Sequence, residues 1–178
     1  MRGRRTPILF VMHGVSRNAE AYAKRWEEQA EDNGFVLIVP HFDAESFPGT
    51  RRYNMGNILS RTKTVNPREE WAFTVIEVLF DAVRPALGST VDGYYMYGHS
   101  AGAQFVHRAV IFLGSVGGQA RLLGAIAANA GFYTIPSFDE EYPYGLGMLQ
   151  HLVKDADLDI FLKAPLIIML GGEDKDPE

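Results

Sequence analysis

The sequence predicts an α/β protein built on a doubly wound, mostly parallel sheet, and three observations carry that expectation. Apolar runs at residues 7–12, 35–39, 91–97, 122–128 and 166–170 are short and mostly continuous, the pattern of strands covered on both faces. The segments between them place apolar residues at helical spacing, so strands and helices alternate. A Gly-x-Ser-x-Gly string, Gly98-His99-Ser100-Ala101-Gly102, falls where the third strand would run into a helix.

The elements follow in order. The first strand is broken by His13-Gly14-Val15-Ser16, and from Ala19 the positions Tyr22, Ala23, Trp26 and Ala30 trace one helical face, with Gly34 placed to close the helix. Pro40 stops the second strand. Residues 42–57 open a long connection, expected to wall a substrate site because loops of that size in compact domains are functional or mobile. Asn66, Pro67 and Glu69 have the chemistry of a helix start, and Trp71, Val75, Val78, Leu79 and Ala82 the spacing of its apolar face. Pro85 and Gly88 end that helix. A helix is expected over 101–113 after the third strand, and the fourth strand, 122–128, is weak in β-branched residues. Residues 132–164 read as a cap-like insertion with a helical stretch at 149–153. Right-handed crossovers limit the topology, and the expected spatial order of the strands is 2-1-3-4-5.

At 178 residues, 47% of them hydrophobic, the chain is expected to form a single domain over 1–178. A net charge of −5 leaves no basic field for a nucleic acid or another polyanion. The absence of cysteine excludes disulfides, thiolate metal sites and a cysteine nucleophile. The apolar run behind Arg2, Arg4 and Arg5 is shorter than a signal-peptide core, and no run approaches membrane-spanning length, so no membrane partner is expected. Composition leaves compartment and oligomeric state open.

A Gly-x-Ser-x-Gly string arises by chance in a chain of this length and glycine content with odds on the order of one in fifteen. Its setting between strand and helix gives it weight. In the order 2-1-3-4-5 the switch point falls between strands 1 and 3, so the His13-Gly14 loop and the Ser100 corner would meet across one crevice. That arrangement points to acyl transfer, with Ser100 as nucleophile and the backbone N–H groups of Ala101 and Val15 as oxyanion donors. A carboxylate after a later strand would orient the base. Asp174 is the first choice, Asp176 the second and Glu173 the third.

The base is the difficulty. Of the five histidines, His13 and His99 are expected to be structural, His99 beneath the corner; His107 lies within a helix, and His41 and His151 are poorly placed. None follows Asp174, and residues 166–170 would be an exposed edge despite their apolar composition. The chain is therefore expected to be truncated at its C-terminus, with a further helix, strand and histidine beyond Glu178. Tyr53, Phe132, Tyr133, Tyr142 and Tyr144 are candidate substrate-wall residues, core packing being their other reading. No Gly-x-Gly-x-x-Gly follows the first strand, which argues against a dinucleotide site. No cofactor or metal is expected, although carboxylates at Glu173, Asp174 and Asp176 suit a hard cation.

His13-Gly14, Arg17-Asn18-Ala19, Tyr22 and Trp26, with the elbow string continued by Gln104-Phe105-Val106-His107-Arg108, resemble the α/β-hydrolase superfamily. Within it they look like the polyhydroxybutyrate-depolymerase-like and feruloyl-esterase-like serine hydrolases. The resemblance implies cleavage of a small-molecule or polymeric carboxylic ester through an acyl-enzyme, with an Asp and a later His completing the triad. The sequence departs from it by starting at the oxyanion strand, without the early antiparallel strands of many members, and by lacking the triad histidine. Open alternatives are a non-catalytic binding protein on the same scaffold, a serine peptidase and a carbon–carbon hydrolase.

Overall fold

A computed structural model describes residues 5–115 and 121–173. Five strands, β1 (Ile8–Met12), β2 (Val36–Ile38), β3 (Tyr94–His99), β4 (Leu122–Ala128) and β5 (Leu166–Met169), form one parallel sheet in the order β2-β1-β3-β4-β5. This is the expected doubly wound order. The chain steps outward from β1 to β2, then crosses back to β3 and continues to β4 and β5, so the winding reverses between β1 and β3. Leu9 pairs with Tyr95 and Met12 with Gly98, which brings the carboxyl ends of these two strands level at the switch point.

Helix α1 (Ala19–Asn33) begins and ends as its sequence dictates: the Asn18 side chain accepts from the Ala21 N–H at 2.9 Å, and Gly34 closes the helix at φ 69°. It lies on one face of the sheet, with Trp26 against Tyr97 at 4.8 Å between ring centroids. A single turn, α2 (Gly49–Arg52), interrupts the long connection after β2. The other face carries α3 (Thr74–Ala86) and α4 (Ala101–Ala109), the latter continued by a π-helical turn over Val110–Ser115. Here Ile8, Phe10, Met12, Tyr94 and Met96 alternate inward against Ile76, Phe80 and Phe105 to make the core.

Three local expectations are corrected. Asn66 and Pro67 lead into a short 3₁₀ turn, Arg68–Glu70, and α3 starts only at Thr74. Tertiary bonds decide this: the Trp71 indole N–H donates to the Asn66 carbonyl at 2.8 Å and the Ala72 N–H to the Gly56 carbonyl at 2.9 Å, which holds buried Trp71, Ala72 and Phe73 out of a helix. The buried positions of α3 are consequently Ile76 and Phe80, whereas Val78 is 61% exposed. In the 132–164 segment the helix is α5 (Asp155–Leu162), not 149–153. The Asp157 carboxylate accepts the Lys154 N–H at 2.8 Å and fixes its start, and Leu149 and Val153 are buried from the turns before it.

That segment packs into the body of the protein: Leu146, Leu149, Val153 and Phe161 share the buried cluster of α4, and the Tyr142 hydroxyl donates to the Met55 carbonyl at 2.7 Å. β5 is the edge of the described sheet, with Ile167, Ile168 and Met169 about half exposed. Among the described residues no helix is long and apolar enough to cross a membrane.

Gly102 sets the contact between α4 and the sheet, because a Cβ there would lie 2.1 Å from the Met12 carbonyl oxygen. Gly102→Ala is expected to cost about 2 kcal/mol or more, through helix displacement at a backbone contact that no rotamer can relieve. Urea denaturation of the variant checks this; unchanged stability would show that α4 can move away freely.

Candidate active site

Ser100 occupies the corner between β3 and α4 at φ 56°, ψ −120°, a backbone conformation that strains a non-glycine residue by about 1–3 kcal/mol. The corner is pinned on both sides. The Ser100 N–H donates to the Ala128 carbonyl at the end of β4 (3.1 Å), and the Gln104 N–H donates to the Ser100 carbonyl (3.1 Å). Two glycines make the turn possible: a Cβ at Gly98 would sit 2.1 Å from the Gly102 carbonyl oxygen, and one at Gly102 would strike the end of β1. The Ser100 hydroxyl makes no hydrogen bond among the described residues.

Across the switch point, a Cβ at Gly14 would lie 4.0 Å from the His99 carbonyl oxygen, so the loop after β1 runs directly beside the corner. The Arg17 N–H closes a turn onto the Gly14 carbonyl at 3.1 Å, leaving Val15 at the tip and 71% exposed. The Val15 N–H has no partner among the described residues, and Ala101, first residue of α4, has no intrahelical acceptor for its own. Two free backbone donors therefore follow the carboxyl ends of two adjacent strands, β1 and β3.

The loop at Gly14 is held by buried polar bonds. His13 is fully buried; its Nε2 accepts the Phe42 N–H at 3.1 Å, so its proton sits on Nδ1, which donates to the Gly14 carbonyl at 3.2 Å. Burial lowers the His13 pKa, as expected of an imidazole that must stay neutral to accept this bond. The Tyr53 hydroxyl donates to the His13 carbonyl at 2.6 Å. Arg17 reaches over the Tyr53 ring at 4.0 Å and donates to the carbonyls of Phe42 (2.6 Å), Phe47 (3.2 Å) and Gly49 (3.0 Å). The 42–53 wall is thereby tied to the loop at Val15.

The candidate substrate residues separate into two groups. Tyr53 and Tyr142 are buried, their phenol pKa values raised by desolvation, and both hydroxyls are spent on backbone carbonyls. Tyr53 offers no surface and Tyr142 little, which favours the core-packing reading for these two. Tyr133 is half-buried and donates to the Ala127 carbonyl at 3.1 Å. Phe132 and Tyr144 pair at 4.8 Å, with Tyr144 60% exposed, and form an aromatic shelf open to solvent.

The histidines are also placed. His99 is exposed, not packed beneath the corner, because it extends from the sheet face opposite α4. His41 is exposed with its ring 6.2 Å from that of His13, and His151 is exposed in a turn. Asp174 and Asp176 lie outside the described residues, and Glu173 is exposed in the turn after β5. That turn is anchored beside β4, where the Gly171 N–H donates to Asn129 Oδ1 at 2.7 Å. No group of three or more His, Cys, Asp or Glu among the described residues could hold a metal ion.

Sequence reasoning missed one supporting residue. Arg108 is fully buried in α4, donating to Thr134 Oγ1 and to the Asn54 carbonyl, each at 2.9 Å, with the guanidinium 4.9 Å from the Phe132 ring. It joins the wall at residue 54 to the wall at 132–134. A lone charge inside the apolar 105–113 helix was its signal.

A parallel sheet in this order, with a strained serine between strand and helix at the switch point, is the α/β-hydrolase fold, and solved structures bear this out. The chain is similar to poly(aspartic acid) hydrolase-1 from Sphingomonas sp. KT-1 at 43% identity and TM-score 0.92, over 98% of this chain and 64% of that one. It is similar to LpqC, a poly(3-hydroxybutyrate) depolymerase from Bordetella parapertussis, at 31% identity and TM-score 0.85, over 97% of this chain and 57% of that one. Esterase Est22, at 18% identity and TM-score 0.50, shares the fold. The chain thus resembles depolymerase-like members and spans about three-fifths of the length of the first two. No protein-family profile and no curated protein matches it.

His107, next to Arg108 on α4, is buried between Tyr133 and Phe161, and desolvation lowers its pKa to about 4. The unfolded chain binds a proton at pH 6.5 that the folded chain refuses until about pH 4, so the stability conferred by neutral His107 is complete above 6.5 and lost as pH falls. The loss reaches roughly 3 kcal/mol. Urea denaturation at pH 7.5 and pH 4.5 is expected to show a smaller stability drop in His107→Leu than in the parent, the remainder including His13.

Proposed function

We propose that this chain forms the larger part of a serine hydrolase that cleaves carboxylic esters through an acyl-enzyme. The observation that best supports it is Ser100 at φ 56° on the corner before α4, with a free N–H at Ala101 and another at Val15 in the loop across the switch point. In this mechanism the Ser100 hydroxyl adds to the ester carbonyl as its proton passes to a histidine. The carbonyl oxygen becomes an oxyanion and accepts from Ala101 and Val15; the alcohol then leaves with the proton, and water cleaves the acyl-serine by the same steps in reverse. Asp174, which follows β5 in the sequence, orients the histidine. None of the described histidines bonds Ser100, and the base carries no residue number in this proposal.

The two similar structures are named for polymers, and a polyester is the substrate class proposed here. An amide substrate is the second reading, favoured by the 43% identity to a poly(aspartic acid) hydrolase. The net charge of −5 weighs against a polyanion and for the neutral ester.

A fluorophosphonate probe is expected to label the complete gene product at Ser100 and not to label Ser100→Ala; equal labelling of both overturns the assignment. Asp174→Asn is expected to lower kcat on short-chain 4-nitrophenyl esters by about 10³–10⁴-fold, and Asp176→Asn by less than tenfold. The opposite ranking would move the acid to Asp176. Chromatography of the products from 3-hydroxybutyrate oligomers and from aspartate oligomers decides between ester and amide.

A further inference from the structure

Gln104 stands one helical turn beyond Ser100 on α4, and its side chain is 8% exposed. Its Oε1 accepts from Asn54 Nδ2 at 2.5 Å; Asn54, 3% exposed, belongs to the 42–57 wall. On the other side, its Nε2 lies 3.6 Å from where a Cβ at Gly131 would be, so it borders the 129–133 segment that follows β4. Gln104 therefore lies on the floor between the two walls. Its amide is oriented by Asn54, and its Nε2 has no acceptor among the described residues yet keeps contact with solvent.

Such an arrangement is poor economy for stability alone. A donor that meets only water adds little to the fold, and a ligand oxygen can take that water's place. One helical turn advances about 5.4 Å along α4. A four-bond ester repeat extends about 5 Å, slightly more than the 3.8 Å of a peptide unit. An acyl chain held at Ser100 can thus present the carbonyl of its neighbouring repeat to Gln104.

We propose that Gln104 is a substrate-binding residue whose Nε2 donates to the carbonyl oxygen of the repeat unit next to the scissile bond, with Asn54 as its positioning residue. The inference rests on Ser100 being the nucleophile, and it deepens that assignment by naming the substrate class: chains that carry a carbonyl in every repeat, as against simple alkyl esters.

Two variants test it without emptying the site. Gln104→Glu keeps an acceptor for Asn54 but replaces the free donor with an acceptor, and Gln104→Met keeps the volume and removes both groups. In the complete gene product, kcat/KM is compared for 4-nitrophenyl 3-acetoxybutanoate and for a 4-nitrophenyl alkyl ester of equal length. The ratio of the two is expected to fall at least tenfold in both variants and by a smaller factor in Asn54→Leu. Independently, calorimetry in the Ser100→Ala background is expected to show at least a fivefold loss of affinity for a 3-hydroxybutyrate trimer when Gln104 is replaced. An unchanged substrate ratio or an unchanged trimer affinity, in variants with the parent's circular dichroism, overturns the proposal. Failure of Ser100 to label would remove the serine mechanism and the proposal with it; normal labelling with an unchanged ratio would overturn the role of Gln104 alone.

Discussion

The first turn of α4 touches the end of β1 backbone to backbone, and the geometry of the site follows from that contact. A methyl group at Gly102 would fall 2.1 Å from the Met12 carbonyl oxygen and 2.8 Å from that of His13. With glycine there, the helix descends until the corner at Ser100 lies beside the loop at Gly14, and the free N–H of Ala101 comes next to the turn that carries Val15. The strain of a serine at φ 56° is held by bonds to Ala128 and Gln104 and by the helix behind it.

The walls are attached to this centre by polar groups buried in apolar surroundings. His13, Arg17 and Tyr53 lace the 42–53 stretch to the loop after β1, and Arg108 ties Asn54 to Thr134 from within α4. A guanidinium with no exposure is expensive to desolvate, and the Arg108 Nη2 lacks a partner. What it supplies is position: two loops far apart in sequence meet the same helix at set places. The Asn54–Gln104 pair lies in that same span.

Fold and site carry different information. The parallel order and the switch point are shared with hydrolases of very different sequence, including one at 18% identity, so they define a scaffold. The features proposed to set this chain apart from a bare scaffold are local: the strained serine, the free N–H groups of Ala101 and Val15, the aromatic shelf at Phe132 and Tyr144, and the amide of Gln104.

The sequence by itself determined the strand order, the five strands to within a few residues, both ends of α1, and the corner at Ser100. These depend on short-range rules: apolar runs, a capping asparagine, a left-handed glycine and a five-residue turn whose glycines are obligatory. It misplaced the start of α3, because Asn66 and Pro67 carry a local helix signal that the bonds of Trp71 and Ala72 to distant carbonyls override. Only the tertiary structure decided which aromatic residues face solvent. Tyr53 and Tyr142 look like Tyr144 in the sequence, and their burial comes from partners at His13 and Met55, 40 and 87 residues away along the chain. The same is true of Gln104 and Arg108, whose roles depend on what the long connection brings against α4, a matter of packing that no local pattern encodes.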